Sequence, residues 1–75
     1  MTISELAERL KDMYDNAKEK ETVLNIHLFG IKYGHHIIRN KYSIKEIVRI
    51  AGINASYFSE INKAVNLSKY VELKK

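Results

Sequence analysis

Ser56, Ser59, Glu60 and Lys63 are spaced so that a helix, turning 100° per residue, puts them on the face opposite Phe58, Ile61 and Val65. Those polar types suit the edges of base pairs. A serine hydroxyl donates to or accepts from bases and phosphates, a lysine reaches guanine O6/N7 or a phosphate, and a glutamate accepts from cytosine N4. Asn54 and Tyr57 lie at the flank, where contacts position a protein rather than specify a sequence. Just upstream, Lys45 and Arg49 project outward and can hold phosphates. The Ser43 hydroxyl can do the same unless it is occupied in capping a helix.

Other chemistries find little support. His27, His35 and His36 are the only histidines; two are adjacent and His27 stands eight residues from His35, so no pair has the one-turn spacing of a helical zinc site. Without cysteine there is no thiolate cage and no disulfide framework. No nucleophile-elbow or phosphate-cradling glycine pattern is present, and a small helical chain has little room for a water-excluding pocket. The expectation is a non-enzyme with no cofactor, no metal and no small-molecule substrate.

The elements that must position these residues read as helices, because the chain has no proline and only three glycines. Thr2 and Glu5 form a capping box ahead of Ile3, Leu6, Ala7, Leu10, Met13, Tyr14 and Ala17, which recur at helical spacing and predict a helix over about 3–18. Thr22 is placed to cap a second helix to about residue 39. It carries two apolar stripes: Val23, Ile26, Gly30 and Ile37, then Leu24, Leu28, Ile31 and Ile38. A helix apolar on two faces is buried centrally or shared with a second subunit, so a homodimer is expected. Gly30 and Gly34, one turn apart, predict close packing of a neighbouring helix or a kink. Asn40 suits the left-handed cap.

Ser43 and Glu46 form a second capping box, opening a short helix over 44–51 with Ile44, Ile47, Val48 and Ala51 inward. Gly52 ends it. Asn54 is placed to cap a fourth helix over about 55–65, whose inner residues are Phe58, Ile61 and Val65. The tail from residue 66 is too short to assign: a last helical turn, a strand paired across a dimer, or a frayed end. The fold class is all-α, one domain over 1–75, a compact bundle of four helices, or five if the tail adds one.

From Ser43 to Lys63 the run resembles the bacterial helix-turn-helix of repressors and related regulators. That family places a glycine at the turn, where Gly52 stands. Apolar residues fall at Ile47 and Ala51 before it, at Ile53 just after it, and at Phe58 and Ile61 in the recognition helix. Val48 departs from the pattern, which prefers a small alanine where the two helices touch. The resemblance implies that the fourth helix enters the major groove of double-stranded DNA, N-terminal residues first. It implies a sequence-specific DNA-binding protein of bacterial, plasmid or phage type, a transcriptional regulator or DNA-targeting module. The alternative is an adaptor that docks a protein partner of DNA metabolism or defence with the same helical corner.

Charge agrees with a polyanionic partner. Residues 1–21 hold four basic and six acidic side chains, whereas residues 22–75 hold nine basic and three acidic. The first residues lack the basic and apolar regions of a signal peptide, and no apolar run reaches bilayer length, so the expectation is a cytoplasmic protein without a membrane partner.

Overall fold

The capping box at the start of the chain forms as its spacing predicts. The Thr2 hydroxyl accepts from the Glu5 amide at 3.1 Å, and the Glu5 carboxylate accepts from the Thr2 amide at 2.9 Å. The computed structural model describes residues 1–73. Four α-helices appear among them: α1 (Ile3–Asp15), α2 (Thr22–Asn40), α3 (Ile44–Ala51) and α4 (Tyr57–Leu67). The all-α class expected from the sequence is what the chain adopts. Residues 68–70 form a turn, and 71–73 have no regular structure.

Several ends differ from expectation, each for a local reason. α1 stops at Asp15 rather than near Lys18, and there the side-chain amide of Asn16 competes for the Asp12 carbonyl at 2.8 Å. Thr22 is the first residue of α2, not its cap; Glu21 holds that position without a side-chain hydrogen bond. At the other end Asn40 stays helical, and Lys41 takes the left-handed conformation at φ 55°. The amides of Lys41 and Tyr42 then donate to the carbonyls of Ile38 and Ile37, which closes the helix. The Ser43–Glu46 box is half formed: the Ser43 hydroxyl accepts from the Glu46 amide at 3.2 Å, while the Glu46 carboxylate turns to Arg49 instead. α4 begins at Tyr57 and runs to Leu67, past the expected end at Val65.

The core is a single cluster in which Leu6, Leu10, Ile26, Phe29, Ile47 and Ile61 are fully buried. α1 packs against α2 and α3, and α4 packs mainly against α2. Asn25 pins the first corner by donating to the Met13 carbonyl at 2.9 Å. The Met1 carbonyl accepts from His36 at 2.8 Å and from the Tyr42 hydroxyl at 2.9 Å, tying the chain start to the α2–α3 junction.

Gly30 and Gly34 prove to be packing glycines inside an unbroken helix. A methyl group on Gly30 would stand 2.4 Å from the Ala64 Cβ and 3.1 Å from the Ile61 carbonyl oxygen; one on Gly34 would stand 2.6 Å from the Ser68 Cβ. Two small residues on α2 thus face Ala64 of α4 and Ser68 just past its end, and the backbones approach directly. Gly52 differs: it has φ 76° and open space around it.

The two kinds of glycine should respond differently to substitution. In Gly30→Val the gain in helix propensity is only a few tenths of a kcal/mol, while overpacking costs about 1–3 kcal/mol. The variant should therefore unfold at lower urea, and Ala64→Gly in the same chain should restore part of the loss. Gly52→Val should cost roughly 1–3 kcal/mol through backbone strain alone, with no rescue from Ala64→Gly. A neutral Gly30→Val in urea denaturation would contradict the close approach.

Candidate nucleic-acid interface

α3 and α4 form the corner that the sequence marks out. Gly52 supplies the reversal: its amide donates to the Val48 and Arg49 carbonyls, and its positive φ turns the chain away from α3. Asn54 closes the turn by accepting from the Ser56 amide at 2.9 Å, and the Tyr57 amide donates to the Asn54 carbonyl. Asn54 therefore caps the turn leading into α4 rather than α4 itself. Ile53 is half-buried against the core between the two helices.

α4 is rotated from the expected orientation. Its buried residues are Ile61, Ala64 and Val65, continued by the buried Ser68, with Tyr57 half-buried in line with them. Tyr57 thus belongs to the inner side and not to the flank of an outer face; its ring meets the Tyr14 ring edge-on at 5.6 Å between centroids. Phe58, expected in the core, is only half-buried, and the Lys45 ammonium lies over its ring at 5.3 Å. At 100° per residue this shifts the inner face by roughly 50°. The cause is the contact at Gly30 and Gly34, which draws Ala64 and Ser68 inward.

The rotation changes which side chains face out. Ser56, Ser59 and Lys63 remain exposed, as expected. Asn62 and Asn66 join them, both exposed and both overlooked in the sequence. The signal that could have found them was the pair of small residues Ala64 and Ser68, spaced like Gly30 and Gly34. Glu60 moves off this face. It is half-buried at the α2 side, accepting from His27 Nε2 at 2.6 Å, with Lys63 3.6 Å from its other oxygen.

The remaining candidates also have partners. Arg49 gives two guanidinium N–H donors to Glu46, a neighbour on α3, and stays exposed. A guanidinium has five such donors, so others are free for a phosphate. Hydrogen bonding from Arg49 holds the Glu46 carboxyl below the usual range, and the Arg49 guanidinium is correspondingly raised. Ser43 is exposed with its hydroxyl oxygen engaged in capping. No group of three potential metal-binding side chains occurs among the described residues, and no helix there is long and apolar enough to cross a membrane.

A family model for an HTH-like domain matches residues 2–74, nearly the whole chain. No curated protein and no solved structure matches it.

The Glu60 link has a measurable consequence. The hydrogen bond from His27, aided by the charge of Lys63, holds the Glu60 carboxyl below its ordinary value. A group with a lowered folded pKa stabilises the fold above its unfolded pKa, and that contribution is lost as pH falls through the folded pKa. A carbon-detected NMR titration should place the Glu60 midpoint below that of an ordinary glutamate. His27→Ala should move it back upward. A midpoint at or above the ordinary value in the unaltered chain would mean that the link does not form in solution.

Proposed function

The chain belongs to the HTH-like domain family, and from that premise we propose that it binds double-stranded DNA sequence-specifically. In this reading it is a cytoplasmic, non-catalytic transcriptional regulator or DNA-targeting module that works as a homodimer. The observation that carries the reading is the outer face of α4. Ser56, Ser59, Asn62, Lys63 and Asn66 are exposed on it, and the only acid of the helix, Glu60, is drawn aside to His27. A polar, acid-free helix face following a glycine turn suits the major groove.

Roles follow from chemistry and position. Ser56 and Ser59, at the start of α4, meet bases first. Asn62 offers the paired donor and acceptor that match adenine N6/N7, and Lys63 reaches guanine or a phosphate. Lys45 and Arg49 contact phosphates from α3, the Ser43 hydroxyl being occupied in capping that helix, and Asn54 supports them with its free amide N–H. Glu60 keeps a different role from the one its sequence position suggests: it orients α4 on α2 and cancels no phosphate contact.

Selection from random duplexes tests the reading. The chain should enrich one site, with affinity that falls as salt rises. Asn62→Ala should relax preference at one base pair, at a cost of roughly 1–3 kcal/mol. Arg49→Ala should weaken all sequences alike and flatten the salt slope by about one unit. Glu60→Ala should leave the preferred site unchanged. If nothing is enriched and affinity does not depend on salt, the α3–α4 corner docks a protein partner instead.

A further inference from the structure

α2 has a face that the fold covers only in part, with Leu28 and Ile31 half-buried and Leu24 and Ile38 exposed. Ile26, Phe29 and Ile37 point into the core, and Gly30 and Gly34 meet α4. On the opposite side Leu24, Leu28, Ile31, His35 and Ile38 follow one another at alternating steps of four and three residues. That is the spacing of a coiled-coil seam, sustained along the helix. Leu24 is 51% exposed and Ile38 42%, and Leu67 of α4 widens the strip at 48%. An open, mainly apolar groove of about 450 Å³ is lined by Leu24, Leu28, Ile31, Ala64 and Leu67 together with the polar His27, Glu60 and Lys63. His35, the one polar member of the seam, is held by the Ser68 carbonyl at 2.8 Å.

We propose that this strip packs against the same strip of a second copy, with the two α2 helices antiparallel. The inference rests on the homodimeric form of the reading above and names the surface that makes it. A 3.5-residue apolar period running the whole length of α2 calls for another helix of comparable length, and a second copy carries one with the same period. Charge selects the direction. The first end of α2 carries Glu19 and Glu21 interleaved with Lys18 and Lys20, whereas its last end carries the cations Arg39 and Lys41 alone. Antiparallel packing sets Glu21 of one copy near Arg39 and Lys41 of the other, at both ends, and opposes the helix dipoles favourably. Parallel packing would set Arg39 against Arg39 and align the dipoles. Lys32, beside the seam, turns its ammonium onto the Tyr33 ring at 5.4 Å and so leans away from the contact.

The experiment needs no DNA, so it separates this surface from the DNA-binding reading. Light scattering at tens of micromolar should report about twice 8.7 kDa. Leu24→Glu should return a folded monomer, because that side chain is half in solvent already. The cysteine-free chain allows single thiols to be placed cleanly. With a short thiol-specific crosslinker, Ile31→Cys near the axis should link efficiently. Leu24→Cys and Ile38→Cys should link poorly alone but well when the two variants are mixed. Equal linking at all three positions would overturn the antiparallel arrangement. A monomer with no linking at any position would overturn the interface, while leaving DNA binding by a single copy intact. A dimer that enriches no DNA site would keep the interface and remove the DNA reading.

Discussion

Where α2 crosses α4, the two backbones approach because Gly30 and Gly34 present no side chain toward Ala64 and Ser68. Everything on the outer surface of α4 depends on that contact. A helix turns 100° per residue, so the choice of which residues lie against the glycines decides which lie in solvent. With Ala64 and Ser68 inward, Ser59, Asn62, Lys63 and Asn66 are outward. The contact also explains a buried serine in an apolar core. The Ser68 hydroxyl donates to the Val65 carbonyl, and its own carbonyl accepts from His35, so neither polar group is orphaned.

α2 is the organising element because three of its faces have separate tasks. One meets the core through Ile26, Phe29 and Ile37, one meets α4 through its glycines, and the third keeps an apolar stripe in solvent. A chain of 75 residues has too few helices to cover a central helix on every side. His27 adds an electrostatic tie from this helix to α4. By holding Glu60, it draws the carboxylate of α4 aside from the outer face.

Local features were legible because local sequence determines them. Thr2 with Glu5, Ser43 ahead of α3, and Gly52 at positive φ all act within a few residues of themselves, and each performs the expected task. The rotation of α4 was not legible from α4 alone. Phe58, Ile61 and Val65 make as good an apolar stripe as Tyr57, Ile61 and Val65, and bulk favours the phenylalanine. What decides between them is a steric fit to residues some 30 positions earlier. For the same reason Glu60 looked like an outward residue: its partner, His27, is 33 positions away. Helix ends shifted where a side chain competed for a backbone carbonyl, as Asn16 does at Asp12.

The balance between attraction and recognition follows from these placements. Between Ser43 and Leu67 the cations are Lys45, Arg49 and Lys63, and the acids are Glu46 and Glu60. Each acid is already paired with a cation of the same limb, so little positive charge stands free. If all three cations met phosphates, affinity would vary with salt with a slope of only about −3, against the six to ten contacts of strongly salt-dependent binders. On the DNA-binding reading, nonspecific attraction by one copy would therefore be small, and discrimination would fall to the neutral donors and acceptors of Ser56, Ser59 and Asn62. On the proposed reading, a second set of such contacts held nearby would add to the first. Joining two copies makes the second engagement intramolecular, which multiplies affinity without any new kind of contact. If the chain pairs through α2 and reads DNA through α4 as proposed, the paired α2 faces would supply the multiplicity that the weakly charged outer face of α4 lacks.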